Sequence, residues 1–250
     1  MQLVLGNRQI ACRAIIFDKD GTLVDARGLL LASAQARAKA LSLLAGTQAA
    51  AAWQQAVGVD LATGQLDRDG PLYLAPRRDE ILVAAAALYR LGHPWDSART
   101  LAQAAYDQAD ELLEPPYGGD LLPGIAGMLA ELRARGLLTA VATSDRRWRT
   151  EAALASLGVA ACFDAIVGVD DVANGKPAPD MVQAACQQLN CRPSEAIVVG
   201  DSPIDLHMGK AAGVAACIAV TTGLNGPDRF DGLADAILST AAALPQLFLA

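Results

Sequence analysis

The sequence predicts an α/β protein: a parallel sheet covered by helices on both faces, with a helical module inserted into it. Three observations predict this. Of the 250 residues, 53 % are apolar and 19 % charged, enough apolar surface for a large core. Short, almost unbroken apolar runs alternate with helical stretches in the second half of the chain. Alanine and leucine dominate residues 26–114, and no strong strand signal interrupts them.

The elements follow in order. Strands are expected at 13–18, 137–143, 165–169, 196–200 and 216–220. Each is nearly continuous in apolar residues, the pattern of strands buried on both faces. Helices are expected between them at 124–135, 149–157, 179–189 and 206–212, and strand–helix alternation implies crossover units and a parallel sheet. Within the module, helices are expected at 28–44, 48–57, 77–91 and 95–113, because alanine has the highest helix propensity. A loop at 64–76 (GQLDRDGPLYLAP) breaks the module, and Pro115, Pro116, Gly118 and Gly119 close it. The expected domains are therefore a core of residues 1–25 and 115–250 and a helical module of 26–114. Insertion after the first strand places the module over the carboxyl ends of the strands, where open α/β sheets bind ligands, and a lid there excludes water. Residues 1–10 read equally as an edge strand or a frayed end.

Composition narrows the function. The charge of −7 repels phosphate backbones, so nucleic acid is not an expected partner. No apolar run reaches about 18 residues and no leader segment is apparent, so no membrane association is expected. Cys12, Cys162, Cys186, Cys191 and Cys217 are odd in number and scattered, which argues for free thiols and a cytoplasmic protein. His93 and His207 are too few for a multi-histidine zinc site. An anionic ligand would need a metal or a placed Lys or Arg.

Four segments carry the chemistry. The run AIIFDKDGTL ends a strand in Asp18 and Asp20, which project the same way by strand periodicity. Alone, this segment reads equally as a polar turn. The run AIVVGDSPID ends a second strand in Asp201 and Asp205. Neighbouring parallel strands would bring Asp18, Asp20 and Asp201 together, and three like charges need a cation. Oxygen-only ligation with few carboxylates suits magnesium, which also takes substrate phosphate as a ligand. Thr143 ends the strand 138–143. Its hydroxyl and the Ser144 amide can hold a phosphate or merely cap a helix. In Gly175-Lys176-Pro177 a rigid turn can aim the Lys176 ammonium at a phosphoryl group.

In this order, FDKDGTLVD, VATSD, GKPAPD and VVGDSPID resemble the four motifs of the haloacid dehalogenase superfamily, in its phosphatase branch with a helical cap. The resemblance covers nearly the whole chain and implies a Rossmann-like core. Among capped members it runs to the phosphoglycolate phosphatases. It implies that Asp18 is the nucleophile and forms an aspartyl-phosphate, and that Asp20 is the general acid and then the base. It implies that Thr143 and Lys176 hold the phosphoryl group, and that Asp18, the backbone oxygen of Asp20, and Asp201 hold Mg2+. Asp205 supports the metal waters or Lys176. On this reading Asp20 needs a raised pKa, whereas Asp18 stays ionised on the metal. An aspartate at position 20 favours phosphate esters over the dehalogenase and phosphonate-cleaving members.

The implied function is a Mg-dependent phosphomonoester hydrolase acting on a small-molecule phosphate ester, as a monomer or homodimer. A β-phosphoglucomutase-like phosphotransferase uses the same core residues, and a non-catalytic phospho-ligand module is the reading from another class. Candidate substrate-facing cations in the module are Arg27, Arg37, Lys39, Arg68, Arg77 and Arg78. Arg146, Arg147 and Arg149, after the second motif, could contact an acidic leaving group.

Overall fold

The computed structural model describes residues 1–112 and 119–249. The chain divides into two compact units: Met1–Arg27 with Pro116–Ala250, and Gly28–Pro115. The expected boundary at 114/115 and the punctuation by Pro115, Pro116 and Gly118 lie outside the described residues.

The first unit opens with β1 (Gln2–Leu5) and β2 (Arg8–Ala11), an antiparallel hairpin with Gln2 opposite Ala11. Residues 1–10 therefore neither fray nor extend the main sheet. The main sheet begins at β3 (Ala14–Phe17). The chain then passes into α1 (Ala26–Ala45) and α2 (Thr47–Val57) of the helical unit. Gly58 ends α2 in the left-handed region, φ 79°, as a helix C-cap requires. The unit continues with β4 (Val59–Asp60), β5 (Gln65–Leu66), α3 (Pro71–Leu74), α4 (Arg77–Arg90) and α5 (Trp95–Leu112). The expected loop at 64–76 thus contains the β5 edge of a two-residue hairpin and one helical turn. Asp60 sets that hairpin's turn, its carboxylate accepting from the amides of Ala62 and Thr63 at 2.9 and 3.2 Å.

The helical unit has its own core, in which Trp53 and Tyr106 are fully buried among alanines such as Ala34, Ala49, Ala84, Ala102 and Ala105. Small side chains let the helices approach closely, and a polar network fills the remaining space. The Trp53 indole donates to the Tyr106 hydroxyl at 3.1 Å, and Tyr106 donates to Glu80 at 3.4 Å. Arg37 donates to the same Glu80 oxygen at 2.5 Å. Arg77 pairs with Asp107 and Asp110 at 2.8 and 3.0 Å. Arg37 and Arg77, expected as substrate-facing cations, are thus committed to carboxylates inside this unit.

Returning to the first unit, the order is α6 (Ile125–Ala134), β6 (Leu138–Ala142), α7 (Arg147–Ser156), β7 (Ala165–Val167), α8 (Asp180–Gln188), β8 (Ala196–Gly200), α9 (Pro203–Ala212), β9 (Ala216–Val220) and β10 (Ala236–Leu238). Six strands form one sheet in the order β10-β9-β8-β3-β6-β7, and all of its pairings are parallel. The sequence predicts five of these strands and misses β10. Both faces are covered, as the continuous apolar runs require. Ile15, Phe17, Val141, Ile197 and Val199 enter one core; Ala14, Ile16, Ala140, Ala142 and Val198 enter another on the opposite face.

No helix among the described residues is long and apolar enough to cross a membrane. All five cysteines are free thiols.

Candidate active site at the carboxyl edge of the sheet

Sheet order decides which side chains meet. β3 lies between β6 and β8, with Phe17 opposite Val141 on one side and Val199 on the other. The Asp18 amide extends this register by donating to the Val199 carbonyl at 2.9 Å. Asp18, Thr143 and Asp201 therefore leave three adjacent strands at the same edge. All three are buried, as is Asp205 in the first turn of α9.

Asp205 uses each carboxylate oxygen differently. Oδ2 accepts the Ser202 amide at 3.1 Å, closing a capping box at the start of α9, where Pro203 occupies the first turn. Oδ1 accepts Lys176 Nζ at 2.7 Å, and the same ammonium donates to Asp18 Oδ1 at 2.5 Å. Lys176 comes from the loop between β7 and α8 and bridges the first and fourth motifs. Burial opposes its charge, but Asp18 and Asp205 outweigh burial and hold its pKa above that of an ordinary lysine. Asp18 behaves oppositely. Burial pushes its pKa up to about 7 against the pull of Lys176, and the Asp205 and Asp20 charges add to the rise. An ionised Asp18, expected from the sequence, thus needs a further cation beside it.

The donor set fits such a cation. Asp18, Asp201 and Asp205 each offer a carboxylate oxygen within 4.8 Å of the others. Lys176 pairs with two of these three carboxylates, and ionisation of all three calls for a further cation. An all-oxygen set suits a hard ion such as magnesium. Glycines make the cradle: a Cβ at Gly21 would stand 2.4 Å from Asp201 Oδ2, and one at Gly223 would stand 1.7 Å from it. A Cβ at Gly200 would stand 2.4 Å from the Asp205 Cβ. The expected ligands Asp18 and Asp201 are in this cluster. Asp205, expected as a supporting residue, joins it while also holding Lys176.

Asp20 lies outside the trio, with its side chain 31 % exposed. Its Oδ2 lies 3.0 Å from Lys19 Nζ, and Lys19 in turn donates to Asp145 at 3.3 Å. Thr143 Oγ1 accepts the Asp145 amide at 3.1 Å, which leaves the Thr143 hydroxyl proton to donate elsewhere. Ser144 is exposed in the same loop. Of the arginines after this motif, Arg147 pairs with Glu151 at 2.8 Å, and Arg149 lies 3.9 Å from Asp145.

Sequence reasoning passed over Lys19, Asp145 and the loop after β9. In that loop Thr222 donates to the Gly21 carbonyl at 2.6 Å, and the Asn225 amide donates to the Asp201 carbonyl at 3.1 Å. The available signal was a polar stretch, TTGLN, directly after a buried strand at the ligand edge.

Comparison with known proteins agrees with this geometry. The model of the haloacid dehalogenase-like hydrolase family matches residues 12–213. A probable phosphatase, IndB, of Dickeya dadantii is 32 % identical over 215 residues, covering 86 % of this chain and 84 % of that protein. A phosphoglycolate phosphatase of Rhodospirillum rubrum is 33 % identical over 205 residues, covering 81 % and 77 %. The crystal structure of a predicted phosphoglycolate phosphatase from Haemophilus somnus superposes with a TM-score of 0.68 at 20 % identity, covering 94 % and 97 %, which establishes likeness of fold. With its matched span running from β3 to the end of α9 and taking in all four motif segments, the chain belongs to the haloacid dehalogenase-like hydrolase family.

Proposed function

We propose that this hydrolase is a magnesium-dependent phosphatase that cleaves a small phosphorylated metabolite through an aspartyl-phosphate at Asp18, in the cytoplasm. The observation that carries the proposal is the buried Asp18 carboxylate, held by Lys176 with Asp201 and Asp205 within ligand distance of one another. Asp18 attacks phosphorus, the ester P–O bond breaks, and Asp20 gives its proton to the departing oxygen. Water then attacks the same phosphorus, Asp20 takes back a proton, and the bond to Asp18 breaks to release phosphate. Splitting hydrolysis this way replaces one difficult step with two easier ones. Lys176 and Thr143 hold phosphoryl oxygens. Magnesium held by Asp18, Asp201 and the Asp20 carbonyl would neutralise charge on the transferring group.

The names of the relatives, a probable phosphatase and a phosphoglycolate phosphatase, support a phosphorylated small acid as substrate. We assign the helical unit Gly28–Pro115 the choice among such substrates. The test is a phosphate-release screen over phosphorylated metabolites, including 2-phosphoglycolate and sugar phosphates. Activity with magnesium, lost in EDTA and in Asp18→Asn, is the expected result. Full activity in metal-stripped protein or in Asp18→Asn overturns the mechanism. Transfer between sugar phosphates without net phosphate release would replace hydrolase with phosphotransferase.

A further inference from the structure

Two buried lysines each pair with two carboxylates of the motif segments. Lys176 holds Asp18 and Asp205; Lys19 holds Asp20 and Asp145. Lys176 is a family motif residue, whereas Lys19 belongs to none of the roles assigned above. It is nonetheless fully buried, at 0 % exposure. A buried ammonium costs several kcal/mol unless it is paired, so a lysine here is retained against that cost.

Its surroundings are rigid. The Lys19 carbonyl accepts the amides of Thr22, Leu23 and Val24, which locks the turn that carries Asp20. At the far end, Asp145 Oδ2 receives Lys19, Oδ1 receives the Arg146 amide at 2.8 Å, and the Asp145 amide is tied to Thr143. Lys19 therefore spans from Asp20 to the loop that carries Thr143. It takes one oxygen of Asp20, Oδ2, while Oδ1 is buried with no partner among the described residues.

We propose that Lys19 is a positioning residue: with Asp145 as its anchor it clamps Oδ2 of Asp20, and so fixes the carboxyl that serves the departing ester oxygen. The inference rests on the proposed phosphatase reading and deepens it. Lys19 is fully buried, so it acts on the reaction through Asp20 and Asp145 rather than by touching substrate. Its removal should cost most where a proton must be delivered, and least where the leaving group departs readily as an anion.

The test compares Lys19→Met with wild type on p-nitrophenyl, phenyl and ethyl phosphate, with magnesium, after a melting curve shows that the variant folds. Expected is a kcat loss of about 10- to 100-fold on ethyl phosphate, the cost of misplacing a catalytic group by about 1 Å. The loss on p-nitrophenyl phosphate should be several times smaller, with KM little changed on all three. In an Asp20→Asn background Lys19→Met should add no further leaving-group dependence. Equal losses on all three esters, or none, overturn the proposal. Should Lys19→Met not fold, Asp145→Asn at the partly exposed anchor must show the same trend at smaller size, and its absence is equally fatal. Wild-type protein that releases no phosphate from any ester overturns both this inference and the reading beneath it, whereas an active wild type with an indifferent Lys19→Met overturns this inference alone.

Discussion

Gly223→Ala tests the proposed metal cradle without replacing any charged group. Gly223 follows β9 and adopts a backbone conformation open to any residue, so alanine there meets no torsional penalty. It does meet Asp201: the new Cβ would lie 1.7 Å from Oδ2 and 2.6 Å from Cγ. Real Cβ atoms stay about 3.0 Å from such an atom, so the oxygen must retreat by at least ~1.3 Å. The loop cannot give way instead, because Thr222 is bonded to Gly21 and Asn225 to the Asp201 carbonyl. Magnesium accepts oxygen at about 2.0–2.1 Å with little tolerance, so a shift of that size removes Asp201 from its shell. Loss of a supporting partner alone weakens metal sites by about 10- to 100-fold, and loss of a ligand should do no less. A 100-fold weaker site forfeits about 2.7 kcal/mol of magnesium-dependent stabilisation at concentrations that saturate the variant as well. Overpacking should cost the metal-free protein about 1–3 kcal/mol. Titration calorimetry with magnesium, with melting curves in its presence and absence, reads both quantities. Gly127→Ala is the control, since its Cβ would meet nothing within 4 Å. Gly223→Ala with wild-type magnesium affinity would refute the assignment of Asp201 as a ligand.

Lys176→Met removes the ammonium that pairs with Asp18 and Asp205 and leaves those two carboxylates facing each other. Breaking a buried pair costs about 3–5 kcal/mol, so the metal-free variant should melt well below wild type, and magnesium should recover more stability than it adds to wild type. A melting point unchanged in EDTA contradicts the pairing. The thiols give a test by pH. Burial pushes Cys12 and Cys186 up to about 12 and Cys217 up to about 11. A raised thiol pKa disfavours the reactive thiolate, so near pH 8 these three should resist a disulfide reagent until the protein unfolds. Three or more fast-reacting thiols in the native protein would contradict their burial.

The sheet was legible because strands buried on both faces announce themselves. Ala14–Phe17, Leu138–Ala142 and Ala196–Gly200 are apolar apart from Thr139, and each is followed directly by Asp or Thr. β10 was not, since three residues with intermediate and exposed positions look like any loop. The hairpin of residues 2–11 turns at Gly6, whose φ of 58° suits such a turn, yet the strand Arg8–Ala11 is mostly exposed and carries no apolar pattern. At the site, Asp18, Thr143, Lys176, Asp201 and Asp205 follow from their places at strand ends and in turns. Lys19 and Asp145 do not, because their meaning lies in a pairing across 126 positions that no local pattern encodes. The same holds for Gly223, whose role is the volume it leaves to Asp201.

β3 also carries a consequence for how the chain is made. Apolar on both faces, it leaves the ribosome well before its two neighbours, which begin only at Leu138 and Ala196. Throughout translation of the intervening helices, both its edges offer unsatisfied amides and carbonyls to any passing strand. Asp18, the proposed nucleophile, is therefore encoded at the end of a segment exposed to mispairing in the nascent chain. Mutations that slow the arrival of β6 or β8 should show themselves first as lost yield rather than as altered catalysis.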